Sequence, residues 1–312
     1  MKIAFFEVTE EEKAFFAKRL QGHTLSFFEG TINEVLQTPA EYEAVSVFVH
    51  SRINDEILSL LPNLRYIQTR STGYDHLKCD LLYKRHILVS NVAGYAGPPV
   101  GEFAFSLLLN ATRKTHIALR RTREGDLHYQ DLLGTELYGK RLGIMGLGVI
   151  GERMAHIGAG FGMKLSAFSR TRKPIVDLLH IDFTTDLNRF LSKCDVIMIA
   201  LPLTPATREM INAKNAFQIP RETIIVNVAR VEIIDEKLYE KLPNVICTDV
   251  LHDPSIARKK EHFLYTPHMA YYTEEALVRI REISLQNMQA FIEGKPMPNC
   301  LKLPCEKEYH IN

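Results

Sequence analysis

Short runs of β-favouring apolar residues alternate with amphipathic stretches along the whole chain. In the first third the runs are KIAFFEV, AVSVFVH, YIQTR and ILVSNV, and NDEILSLLPNL carries a helical spacing of apolar positions between two of them. Continuous apolar strands alternating with helices predict a parallel α/β sheet. A long helical pattern, VGEFAFSLLLNATRKTHIALRR, follows Gly97, Pro98 and Pro99, whose prolines suit a first helical turn and a domain boundary. A second strand series comes next: RLGIMG, KLSAF, VIMIAL, TIIVNV and VICTDV. The last helical pattern, over 274 to 293, follows that series and is placed to return to the first domain.

A length of 312 residues exceeds what one hydrophobic core usually organises. Two domains with a cleft between them are therefore expected. With 38 Lys and Arg against 37 Asp and Glu, no overall charge draws the chain to nucleic acid. The start, MKIAFFEVTEEEKAFF, lacks the apolar core of a signal peptide, and no later apolar run is long enough to span a bilayer, so a cytoplasmic, non-membrane protein is expected. Cys79, Cys194, Cys247, Cys300 and Cys305 are odd in number and scattered. That spacing suggests reduced, structural thiols rather than a metal site or a disulfide framework.

Chemistry enters at GKRLGIMGLGVIGERMAHIGAGFGMKLSAFSR. Gly146, Gly148 and Gly151, with Val149 and Ile150 among them, hold the GxGxxG spacing between an apolar strand at 142 to 145 and a helix at 152 to 161. The first glycine permits the tight turn, the second lets backbone approach a pyrophosphate, and the third lets helix and strand pack closely. The helix N-terminus then offers unpaired N–H groups to the phosphates. A βα turn without a ligand uses the same glycines, but the complete strand, turn, helix and second strand favour a dinucleotide. After that second strand, where an enzyme binding NAD places an acid for the ribose, the chain has Ser169, followed by Arg170, Thr171 and Arg172. Two cations and two hydroxyls suit a 2′-phosphate, so NADP(H) is the preferred cofactor and NAD(H) the alternative.

Three further segments, RSTGYDH with NVAGYAGPPVGEFA, VNVARVEIIDE, and TPHMAYYTEEA, together with LPLTPAT and TDV, make the chain resemble the D-2-hydroxyacid dehydrogenase family from about residue 70 to 294. TPHMAYYT is especially similar to D-lactate dehydrogenase-like members. The resemblance implies an α/β fold of two Rossmann-like domains with parallel sheets and an interdomain active-site cleft. Residues 1–96 and 278–312 would form the substrate domain and 97–277 the nucleotide domain. It also implies a homodimer, with the long helical segment after Pro99 at the subunit interface.

Reduction of a 2-keto acid needs a cation for the carboxylate, polarisation of the carbonyl and a proton for the developing alkoxide. By resemblance, Arg230 supplies the guanidinium and His268 is the acid/base, protonated before reduction and neutral before oxidation. Asp253 matches the family's glutamate that favours and orients the imidazolium. Backbone N–H groups of Thr72 and Gly73 would hold the substrate carboxylate, Tyr95 and Tyr271 would line the pocket, and Asp249 matches a contact to the nicotinamide carboxamide. Taken singly, Asp253 could instead start a turn with Pro254, and the tyrosines could be packing residues.

The sequence departs from the family pattern at several places. Val231 replaces the usual glycine after the arginine, Asp253 is one methylene shorter than glutamate, the span from 253 to 268 is short, and Ala96, Gly97 and Pro98 replace a serine-proline. The expected reaction is reversible conversion of a small 2-keto acid to its D-2-hydroxy acid. Alternatives are a formate- or phosphite-type dehydrogenase and a nucleotide-sensing scaffold similar to the C-terminal binding protein corepressors.

Overall fold

A computed structural model of the chain describes residues 1–253, 255–256 and 263–301. Its described residues divide into two compact units, one formed by 1–95 with 273–301 and the other by those of 96–272. The first seam falls just before the helix Gly97–Arg113, which opens on prolines in its first turn. The second falls at Thr273, whose side chain accepts the Ala276 N–H and caps the helix Glu274–Ile292. The sequence puts these boundaries after 96 and after 277.

In the first unit, strands β1 (Lys2–Phe5), β2 (Thr24–Phe27), β3 (Ala44–Val47), β4 (Tyr66–Thr69) and β5 (Leu88–Ser90) form a parallel sheet in the order β2-β1-β3-β4-β5. Alternate residues of β1 serve opposite faces, as the two-residue strand period requires. Ile3 and Phe5 pack with Phe16, Met288 and Phe291, while Ala4 and Phe6 pack with Val45, Ile57, Ile67 and Val89. The helix Glu10–Arg19 starts on a reciprocal cap between Thr9 and Glu12. The strand order reverses between β1 and β3, the place where open α/β sheets leave a crevice for ligands. Here the Glu7 carboxylate fills it, accepting N–H groups of Phe48 (3.0 Å), His50 (3.1 Å) and Ser51 (3.0 Å).

The second unit holds β6 (Arg141–Met145), β7 (Lys164–Phe168), β8 (Asp182–Thr184), β9 (Val196–Ile199), β10 (Ile224–Asn227), β11 (Ile246–Thr248) and β12 (Phe263–Tyr265), all parallel. Their order, β12-β11-β10-β9-β6-β7-β8, is that of a doubly wound dinucleotide-binding sheet with one strand added. The reversal lies between β6 and β9. No helix among the described residues is long and apolar enough to cross a membrane.

The long helical segment after Pro99 is two helices, Gly97–Arg113 and Thr115–Arg123. Lys114 separates them at φ 51°, a left-handed conformation no α-helix continues through, and its ammonium donates to the Asp131 carbonyl at 3.0 Å.

Candidate active site

The turn after β6 lies at the strand reversal of the larger sheet. Gly146 has φ +99°, and a Cβ there would stand 2.9 Å from the Ala200 carbonyl oxygen at the end of β9. A Cβ on Gly151 would come within 1.9 Å of the Gly146 carbonyl oxygen, so the helix can start this close to the strand only with glycine. At Gly148 an added Cβ would meet nothing within 4 Å. The space in front of that backbone is open, as the approach of a pyrophosphate requires. Gly148 caps the helix Val149–Gly160 without a side-chain bond, leaving the first N–H groups, including those of Val149 and Ile150, without intrahelical acceptors. These features fit a dinucleotide.

The loop after β7 is tied to this turn by the Gly146 N–H, which donates to the Phe168 carbonyl at 2.8 Å. Ser169 follows, half-buried, and Arg170, Thr171 and Arg172 are exposed. The two arginines differ. Arg172 bonds Asp177 at 2.5 Å and lies 5.9 Å over the Phe183 ring, whereas Arg170 has no ion-pair partner among the described residues.

Arg230 and His268 follow β10 and β12 of the same sheet, at its carboxyl edge. Asn227, fully buried, shapes the Arg230 turn: its amide donates to the Arg230 carbonyl (2.9 Å) and the Tyr239 hydroxyl (2.9 Å), and its carbonyl accepts the Ala229 N–H (3.0 Å). The guanidinium Nη1 donates to the Ala229 carbonyl at 2.8 Å. Val231 is buried in the apolar core, without a positive φ, so no conformational demand for glycine exists at that place in this chain.

His268 has φ 56°, a left-handed conformation that costs a residue with a Cβ about 1–2 kcal/mol. Its N–H donates to the Thr266 carbonyl at 3.0 Å. The Asp249 carboxylate, just past β11 and 1% exposed, accepts from the Thr266 hydroxyl (2.5 Å) and from the N–H groups of Met269 (3.0 Å) and Ala270 (2.7 Å). On sequence grounds Asp249 meets the nicotinamide carboxamide; in the structure its carboxylate engages the histidine loop. The Tyr271 ring stands edge-on to the imidazole at 6.5 Å between centroids. Both Asp253 oxygens bond Ser255, one taking its N–H and the other its hydroxyl, each at 2.8 Å, as a turn-starting Asp does. Its follower Pro254 lies outside the described residues.

In the smaller unit, Ser71 donates to the Gly73 carbonyl (2.6 Å), Thr72 Oγ1 to the Val92 carbonyl (2.9 Å), and Asn91 to the Thr72 carbonyl (2.8 Å). The carbonyls of this loop are thus drawn back into the protein. No described residue accepts from the N–H groups of Thr72 or Gly73. Tyr95 is 5% exposed. Sequence reasoning missed Asn227, Thr266 and Asn91. The one signal it had was a polar residue closing an apolar strand, as in TIIVN.

The strand order, the glycine turn and the open backbone at Gly148 define a dinucleotide-binding α/β enzyme fold. A model of the D-isomer specific 2-hydroxyacid dehydrogenase NAD-binding domain matches residues 105–270. D-lactate dehydrogenase kk1H of Curvularia clavata is 32% identical over 284 residues, which cover 83% of this chain and 81% of that one. A glyoxylate reductase of Aeropyrum pernix is 30% identical over 283 residues, 85% of this chain and 84% of that one. Among solved structures, D-lactate dehydrogenase from Aquifex aeolicus, complexed with NAD and lactic acid, is similar with a TM-score of 0.87 at 28% identity, covering 97% of this chain and 100% of that one. The chain belongs to the D-isomer specific 2-hydroxyacid dehydrogenase family.

Proposed function

We propose that the chain reduces a small 2-keto acid to its D-2-hydroxy acid, with NADPH preferred over NADH. The supporting observation is that the glycine turn, the Ser169–Arg172 loop, Arg230 and His268 all follow strands of one parallel sheet at its carboxyl edge, where doubly wound folds bind ligands. When bound, the reduced nicotinamide supplies a hydride to the carbonyl carbon. Arg230 offers a planar fork that holds carboxylate and keto oxygen in a fixed relation and stabilises charge on that oxygen. His268, protonated at the outset, gives its proton to the same oxygen as the alkoxide forms. The N–H groups of Thr72 and Gly73, lacking acceptors among the described residues, take the substrate carboxylate, while Tyr95 and Tyr271 bound the pocket. Asp253 is the proposed anionic partner of the imidazolium.

The cofactor preference rests on the loop after β7. It carries no carboxylate to repel a 2′-phosphate, and Arg170 is an exposed cation with no ion-pair partner among the described residues. Arg172, held by Asp177, contributes less. A homodimer is part of the proposal. Leu119, Leu127, Tyr129, Leu133 and Tyr138 are 61% to 85% exposed along one segment, an apolar density that a second copy would cover. The proposed setting is the cytoplasm, where scattered thiols stay reduced.

Steady-state assays on pyruvate, glyoxylate and hydroxypyruvate with each reduced cofactor test the reading. The expected outcome is turnover of at least one keto acid with a higher kcat/KM for NADPH, and a shift toward NADH in Ser169→Asp/Arg170→Ile. Equal or better use of NADH by the wild type overturns the preference, and absence of turnover on every keto acid overturns the reaction.

A further inference from the structure

We infer that Asp249 is a positioning residue for His268, acting through the backbone of the loop that carries it. This rests on the reading of His268 as the acid/base. The carboxylate is 1% exposed and sits behind the loop rather than on its surface. Its three hydrogen bonds reach residues on both sides of the histidine: Thr266 two places before it, and Met269 and Ala270 one and two places after it. Between those anchors His268 is held at φ 56°, with its own N–H turned back to the Thr266 carbonyl.

A free chain has no reason to keep a residue with a Cβ in the left-handed region. Relaxing to an extended backbone would re-aim the imidazole. Two consecutive N–H groups converging on one buried anion remove that freedom, because any other backbone geometry would leave the anion without its donors. The anion itself is fixed from behind, since the Asp249 N–H donates to the Asn227 carbonyl at 3.0 Å. Asn227 is also the residue that bonds the Arg230 carbonyl. One chain of contacts, from the Arg230 turn through Asn227 and Asp249 to the His268 loop, therefore sets the aim of both side chains. A role confined to the nicotinamide carboxamide would not call for these three loop bonds.

Asp249→Asn separates the two roles. An amide placed among three donors can satisfy only part of them and turns an NH2 group toward the rest. The expected result is a fall in kcat of roughly 10- to 100-fold, the scale of a lost charge-assisted bond, with the reduced-cofactor Kd from fluorescence titration unchanged within about twofold. Thr266→Val, which removes one donor and leaves the carboxylate in place, is expected to lower kcat in the same direction by less. In a His268→Ala background, Asp249→Asn should cost nothing further, because a residue that works only through the imidazole has nothing left to position. An equal loss in both backgrounds, or a Kd that rises as much as kcat falls, overturns the assignment. If the wild type turns over no keto acid, the functional reading fails and amide hydrogen exchange decides the positioning alone. Faster exchange across 266–270 in Asp249→Asn, with the glycine turn unchanged, supports it, and unchanged exchange at 266–270 overturns it.

Discussion

Asp253 serves a turn through both of its oxygens, and the same carboxylate is the proposed partner of the imidazolium. An asparagine oxygen still takes the Ser255 N–H and its NH2 can donate to the Ser255 hydroxyl oxygen, so Asp253→Asn keeps the turn while it removes the charge. An imidazolium without a nearby anion releases its proton more readily, so the limb of the pH–rate profile for ketone reduction should move to lower pH while the melting temperature stays the same. An unmoved limb measured on both kcat and kcat/KM gives the partner role to another group. Residues in this site are legible in the sequence to different degrees. Arg230 and His268 sit in ordered local motifs, and Gly146, Gly148 and Gly151 in a fixed spacing, so neighbouring letters announce them. The bonds of Asp249 run to residues 17 to 21 places away, and the buried Asn227 amide bonds a tyrosine 12 places on. No local pattern encodes such pairings.

At the scale of elements, the central strands are plain because parallel strands covered on both faces read as continuous apolar runs. Three strands escape that pattern: β2, β8 and β12, each at the edge of its sheet and only partly buried. An edge strand packs one side less, so its sequence is freer to be polar, as TLSF and DFT are. The break at Lys114 is hidden for another reason: no glycine or proline marks it, and a lysine takes the left-handed conformation itself. The helix Thr115–Arg123 beyond that break buries none of its residues, and Arg121 on it grips the Asp131 carboxylate at 2.8 and 2.7 Å. That grip pulls the Asp131 carboxyl from an ordinary 3.8 down to about 2, so its support is complete above 3.8 and is lost as the pH falls through about 2. Asp131→Asn at neutral pH should accordingly speed amide exchange across 115–138 and leave β6 unaffected. Equal exchange in variant and wild type would show that the ion pair does not hold the segment.

Over the whole molecule, the two sheets share one plan and use it differently. The smaller sheet closes its strand reversal with Glu7, whose carboxylate satisfies three N–H groups. The larger sheet leaves its reversal open at Gly148 and gathers the cofactor turn, Arg230 and His268 along the same carboxyl edge. The buried thiols lie outside this chemistry: burial pushes Cys194 and Cys247 up to about 12, so both stay protonated and inert near neutral pH. Hydride transfer at this edge, as proposed, takes its proton from His268. Single-turnover reduction of pyruvate or glyoxylate by wild type and His268→Ala, each saturated with reduced cofactor, tests it most directly. The expected result is rapid nicotinamide oxidation by the wild type, a rate about 100- to 10,000-fold lower in the variant, and the same cofactor Kd in both. Equal rates in the two proteins would contradict it.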